Sequence, residues 1–121
     1  MDNEAYGYKK LNVWKKADEL AFQIYAATKN FPHEEIYGIT SQLRRSGLSI
    51  PTNIVEGYSR QGKKELKHFI NIGLGSLGET RYLLDFSSRL GYLNSTQYAS
   101  LEQLGSETGK LLWRFYESIK L

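Results

Sequence analysis

The chain contains no cysteine. That excludes a disulfide framework, a thiolate nucleophile and a cysteine-bound metal, and it suits a reducing compartment. Histidine and proline are scarce, with two of each in 121 residues. No stretch approaches the roughly 20 apolar residues that cross a bilayer, so no membrane partner is expected. The opening Met1-Asp2-Asn3-Glu4 lacks the basic-then-apolar shape of a signal peptide, and a cytoplasmic location is expected. Strong charge of one sign is also missing. The formal net charge is +3 and the sequence pI is about 9.1, which permits contact with nucleic acid without demanding it.

What the sequence does have is helical periodicity. Residues 1 to 10 are polar and aromatic without a period and are read as a loose leader; residues 11 to 121 are read as one domain. The first pattern places Val13, Ala17, Leu20, Ile24, Ala27 and Phe31 at steps of four and three, with Asn12 as its N-cap. It ends at Phe31-Pro32, because a residue before proline avoids the α region. The second begins near Glu34 and runs through Ile36, Ile39, Leu43, Gly47, Ile50, Ile54 and Gly57. Pro51 lies inside it and should kink or split the helix. The third, from about Lys63 to Leu90, follows Leu66, Ile70, Gly73, Leu77, Thr80 and Leu84, with Gly91 at C′. The fourth starts near Thr96 under a Ser95 cap and places Leu101, Leu104, Thr108, Leu111 and Phe115 on one face. Short connections between four long helices predict an all-α, up-down-up-down four-helix bundle.

Eight glycines from Gly38 to Gly109 fall within these patterns, each costing about 1 kcal/mol against alanine in a helix interior. Close approach of two helices is the simplest reason, and contact between subunits is a second. Trp14, Tyr25, Tyr58, Tyr82 and Trp113 lie off the core seams, more apolar surface than a small bundle can bury. That excess predicts a homo-oligomer.

Motifs for chemistry are thin. Gly73-Leu74-Gly75-Ser76-Leu77-Gly78 has the dinucleotide-binding spacing, but it sits in a helical pattern with no strand before it, so no cofactor is expected. Glu65-Leu66-Lys67-His68 has the Glu-x-x-His spacing of di-iron bundles. Those sites need a second copy and two more carboxylates, and the other histidine, His33, lies in a loop, so no metal is expected. No serine stands in a nucleophile elbow, and Glu56 and Glu79 read as ion-pair partners for arginines such as Arg81, so no catalytic residue is assigned.

The basic residues are unevenly spread. Arg60, Lys63, Lys64 and Lys67 surround the turn between the second and third helices. They are the candidate nucleic-acid-binding patch, with Arg44 and Arg45 either extending it or serving as structural ion-pair partners.

Several segments, taken in order, carry a resemblance. They are Leu11-Asn12-Val13-Trp14 with Ala17, Phe31-Pro32, Glu35, Tyr37-Gly38 and Ser41-Gln42-Leu43-Arg44-Arg45. There follow Ser49-Ile50-Pro51-Thr52-Asn53-Ile54-Val55-Glu56-Gly57, Phe69-Ile70, Gly75-Ser76-Leu77 with Glu79, and Leu90-Gly91-Tyr92-Leu93. Together they resemble the four-helix-bundle family of 23S rRNA intervening-sequence proteins over about residues 11 to 120. Val55 stands where that family often has alanine. The resemblance implies a homopentameric ring and no catalytic residues. It extends to a related branch, the accessory proteins of diversity-generating retroelements. It therefore implies RNA or DNA, or a nucleoprotein such as a reverse transcriptase, as partner. The expected function is non-enzymatic nucleic-acid or nucleoprotein binding; the alternative is a protein scaffold that touches no nucleic acid.

Overall fold

The structure is a computed structural model that describes residues 7–121. Four α-helices carry it: α1 (Asn12–Thr28), α2 (Ile39–Ser59), α3 (Lys63–Arg89) and α4 (Ser95–Ser118). Short 3-10 turns at Gly7–Lys10 and His33–Glu35 complete the regular structure, and no strand occurs among the described residues. Each helix packs on its two neighbours in sequence, and α1 and α4 close the square. This is the antiparallel four-helix bundle that the short connections require.

The core follows the three-and-four spacing. Ala17, Leu20 and Ile24 of α1 meet Leu43, Ile50 and Ile54 of α2, Ile70 and Leu84 of α3, and Leu112 of α4; all are fully buried or nearly so. The α2–α3 contact is the most extensive, and a polar thread runs through it. Thr80 Oγ1 donates to Ser46 Oγ at 2.9 Å, and the Ser49 and Ser76 hydroxyls pair at 2.8 Å. Gly57 permits the close approach, since a Cβ there would stand 3.0 Å from Phe69 Cβ and 3.2 Å from the Leu66 carbonyl oxygen.

Several boundaries differ from expectation. The second helix starts at Ile39, not near Glu34, and Gly38 is its N-cap. The Glu35 carboxylate lies outside the helix and accepts from the Ile39 amide at 3.3 Å, while the Tyr92 hydroxyl donates to its other oxygen at 2.8 Å. One side chain thus caps α2 and ties it to the α3–α4 turn, and that bond raises the Tyr92 pKa. Asn12 is the first residue of α1; Leu11 occupies the N-cap without a side-chain bond. The fourth helix is capped by Asn94, not Ser95, in a reciprocal box with Gln97.

Pro51 does not split α2, which runs unbroken from Ile39 to Ser59 with Pro51 buried. The α3 terminus is a Schellman motif: Gly91, at φ +82°, donates to Ser88 O at 3.0 Å and Tyr92 to Ser87 O at 2.9 Å. Of the expected leader, Gly7–Lys10 is a turn in contact with α1 and α2, with Tyr8 edge-on to Trp14 at 5.1 Å; residues 1–6 lie outside the described residues.

Candidate nucleic-acid interface

Gly62, at φ +91°, reverses the chain between α2 and α3 and is the N-cap of α3. This turn brings Arg60 to the head of the helix that carries the three lysines. Arg60, however, is engaged. Its Nε and Nη2 donate to Glu56 Oε2 at 3.1 and 2.9 Å, its Nη1 donates to Glu65 Oε1 at 3.3 Å, and its guanidinium lies 4.9 Å from the Phe69 ring centre. It clasps the turn, and two carboxylates offset its charge.

Lys67 is also occupied. Its Nζ donates to the Ile119 carbonyl at 3.0 Å and sits 4.6 Å from the Tyr116 ring centre, fastening α3 to the end of α4. Arg44 fastens α2 to α1. Its Nε donates to Thr28 Oγ1 at 2.7 Å and its guanidinium lies 4.9 Å over Tyr25, so its partners are a hydroxyl and a ring, not an acid.

Lys63, Lys64 and Arg45 remain, all exposed and with no bonded partner among the described residues. They do not form one patch. Fourteen residues of α2 separate Arg45 from Ser59, about 21 Å at 1.5 Å per residue. The α3 head therefore presents two free ammonium groups, with Lys67 one turn further on.

Sequence reasoning missed the α4 contribution. Lys110, Trp113 and Arg114 are exposed on the half of α4 that runs alongside the start of α3. Trp113 stacks on Tyr116 with ring centres 5.5 Å apart and planes at 23°. A groove of about 470 Å³ opens beside it, lined by Gly78, Arg81, Gly109 and Lys110 among others. Arg81 is bound to Glu102 of α4, which raises its pKa further. The signal lay in the Lys110-x-x-Trp113-Arg114 spacing off the core seam.

Two apolar surfaces lie elsewhere. Phe22, 73% exposed, lines a groove of about 410 Å³ between α1 and α2 with Tyr25 and Leu48. On α3, Ile72, Gly75, Glu79, Tyr82 and Phe86 form a second seam facing outward, at the same three-and-four spacing as the core seam. Trp14, by contrast, is half-buried against the N-terminal turn.

The weaker motifs find their places. Gly73 to Gly78 lies inside α3, where its amides serve the helix. Glu65 is held by Arg60, and His68 is exposed and edge-on to Phe69 at 5.2 Å. Among the described residues no three His, Asp or Glu side chains converge, and no helix is long and apolar enough to cross a membrane. Glu79 is exposed on the outer α3 seam, and Glu56 pairs with Arg60 within its own helix and turn.

A sequence model of the family described as 23S rRNA-intervening sequence protein matches residues 9–114. A crystal structure from Bacteroides thetaiotaomicron, of a protein with unknown function from the S23 ribosomal protein family, superposes with a TM-score of 0.80. It is 31% identical, and the alignment covers 87% of this chain and 95% of that one. No curated protein matches.

Proposed function

The chain belongs to the 23S rRNA-intervening sequence protein family, and from that membership we propose that it is a non-enzymatic oligomer that binds RNA or DNA through backbone charge. The observation that carries this reading is the head of α3. Lys63 and Lys64 are exposed and unpartnered there, beside the free amides of a helix N-terminus, and both features attract phosphate. One such site is weak. Copies repeated by symmetry in a ring raise avidity without any new contact. Recognition of this kind reads phosphate and not base sequence, so it weakens steeply with salt.

The test is a titration of labelled RNA and DNA at low and moderate salt. The informative variant is Lys63→Glu with Lys64→Glu, because Lys67 and Arg60 hold the fold and would confuse the result. Wild type is expected to bind at low salt. The variant is expected to bind more weakly, with a salt slope shallower by about 1 for each phosphate it no longer neutralises. Absence of wild-type binding at low salt returns the role to a scaffold for protein partners, and equal binding by the variant rules out the α3 head as the binding surface. The exposed apolar surfaces on α1–α2 and α3 favour that second reading.

A further inference from the structure

The groove between α3 and α4 offers an aromatic face as well as charge. Trp113 is 50% exposed and lies outside the core cluster. It stacks on Tyr116, and Tyr116 carries the Lys67 ammonium, itself pinned by the Ile119 carbonyl. The indole is therefore held in place before any ligand arrives, which lowers the ordering cost of binding. Gly78 keeps the adjacent groove open, and Gly109 lets α4 approach α3 beside it. A Cβ on Gly78 would meet nothing within 4 Å, and one on Gly109 would press Leu77 Cδ2 at 3.2 Å.

The charge around this ring suits phosphate. Lys110 lines the groove, and Arg114 lies one turn beyond it on the same exposed face. Neither makes an ion pair or hydrogen bond among the described residues. The acids of this half of α4 are Glu107, which binds Lys16 and also feels the Lys110 charge, and Glu117, exposed three residues beyond Arg114. A rigid aromatic face flanked by free cations is the arrangement on which an unpaired base stacks while its phosphates are held. Duplex hides its base faces and cannot use the indole.

We infer that the α3–α4 groove binds a single-stranded segment of nucleic acid, with one base stacked on Trp113 and the flanking phosphates on Lys110 and Arg114. The inference rests on the nucleic-acid reading above and adds the class of ligand. Because every base has a π face, the preference is for unpaired over paired strands and not for a sequence.

The experiment compares three labelled probes of equal length on the full chain: a single strand, a duplex, and an abasic strand carrying phosphates without bases. The proteins are wild type, Trp113→Ala and Trp113→Phe. Wild type is expected to favour the base-bearing strand over the abasic one. Trp113→Ala is expected to weaken single-strand binding roughly 5- to 150-fold, the range for loss of one stacked base, with duplex and abasic binding unchanged. Trp113→Phe is expected to keep most of the affinity, which separates loss of stacking from loss of folding. If wild type binds nucleic acid but Trp113→Ala binds the single strand equally well, the stacking site is overturned and charge-only binding stands. If wild type binds no probe at low salt, both readings fall. If Trp113→Phe or Trp113→Ala remains helical but loses oligomer mass in light scattering, Trp113 is a subunit contact and the inference is overturned.

Discussion

Glycines that look alike in the sequence do opposite things in the bundle. At Gly57 an added methyl would meet Phe69 Cβ and the Leu66 backbone oxygen, and the backbone cannot swing aside. Overpacking of this kind costs typically 1–3 kcal/mol, more than the roughly 1 kcal/mol that alanine gains over glycine in a helix. Gly57→Ala is therefore expected to lower the midpoint in chemical denaturation. Gly75 is exposed, and an added Cβ would meet nothing within 4 Å. Gly75→Ala is expected to stabilise the dilute subunit by about 1 kcal/mol. If the outer α3 seam is a subunit contact, the same change also weakens assembly, visible as lower mass in light scattering. A cation's role is equally a matter of its neighbours. Arg60, Lys67 and Arg44 are structural clasps, while Lys63, Lys64 and Arg45 are free, and nothing in the residue types separates the two groups.

Each helix depends on ends as much as on its buried stripe. Asn94 and Gln97 satisfy two amide donors at the head of α4, so Asn94→Ala is expected to cost about 1 kcal/mol, read as a lower denaturation midpoint. Between helices, Glu107 ties α4 to α1. A hydrogen bond from Gln103, then the Lys16 ammonium at 3.3 Å, hold its pKa below the usual carboxylate range. The folded pKa lies below the unfolded one, so its contribution is full above ordinary carboxylate pKa values and fades as the pH falls through the depressed value. Glu107→Gln is expected to remove that part of the acid dependence. Wild-type and variant stabilities then differ near neutral pH and converge in acid; because the pair is exposed, the difference is small. The α4 stripe shows why element-level reading slips. Two stripes fit the period, one through Leu104 and Leu111 and the other through the adjacent Gly105 and Leu112. The bundle buries Leu101, Gly105, Thr108 and Leu112, because Gly105 lets the Arg81 stem lie across α4.

At the scale of the molecule, two different apolar surfaces remain uncovered on one subunit. One is the α1–α2 groove under Phe22, and the other is the outer α3 seam with Tyr82, 58% exposed. Two unlike surfaces suit a head-to-tail contact, which closes into a ring when the rotation permits. We expect light scattering to give a multiple of the 13.9 kDa subunit, five as the family resemblance implies, and Phe22→Asp with Tyr82→Asp to shift it to the monomer with helicity retained. A wild-type monomer mass at micromolar concentration would refute this expectation.

The sequence alone determined the four helices, their antiparallel order and most of the core. Val13, Ala17, Leu20, Ile24, Leu43, Ile50, Ile54, Ile70, Leu77 and Leu84 are buried because a period near 3.6 puts them on one face, and that follows from local geometry. Gly91 as a helix stop was legible for the same reason, since its positive φ is a local demand. The start of α2 was not, because its cap is the Glu35 carboxylate, held in turn by Tyr92 from 57 residues away. The candidate interface was legible in composition and not in arrangement. Spacing placed Lys63, Lys64 and Lys67 on one helix, but only packing decided that Lys67 reaches across to Ile119. Only packing, too, set the Lys67 ammonium over the Tyr116 ring, whereas the stack of Trp113 on Tyr116 is an i,i+3 pair that the helical period implies. Contacts between residues far apart in the chain depend on how the helices dock, and the period of a single helix carries no record of that.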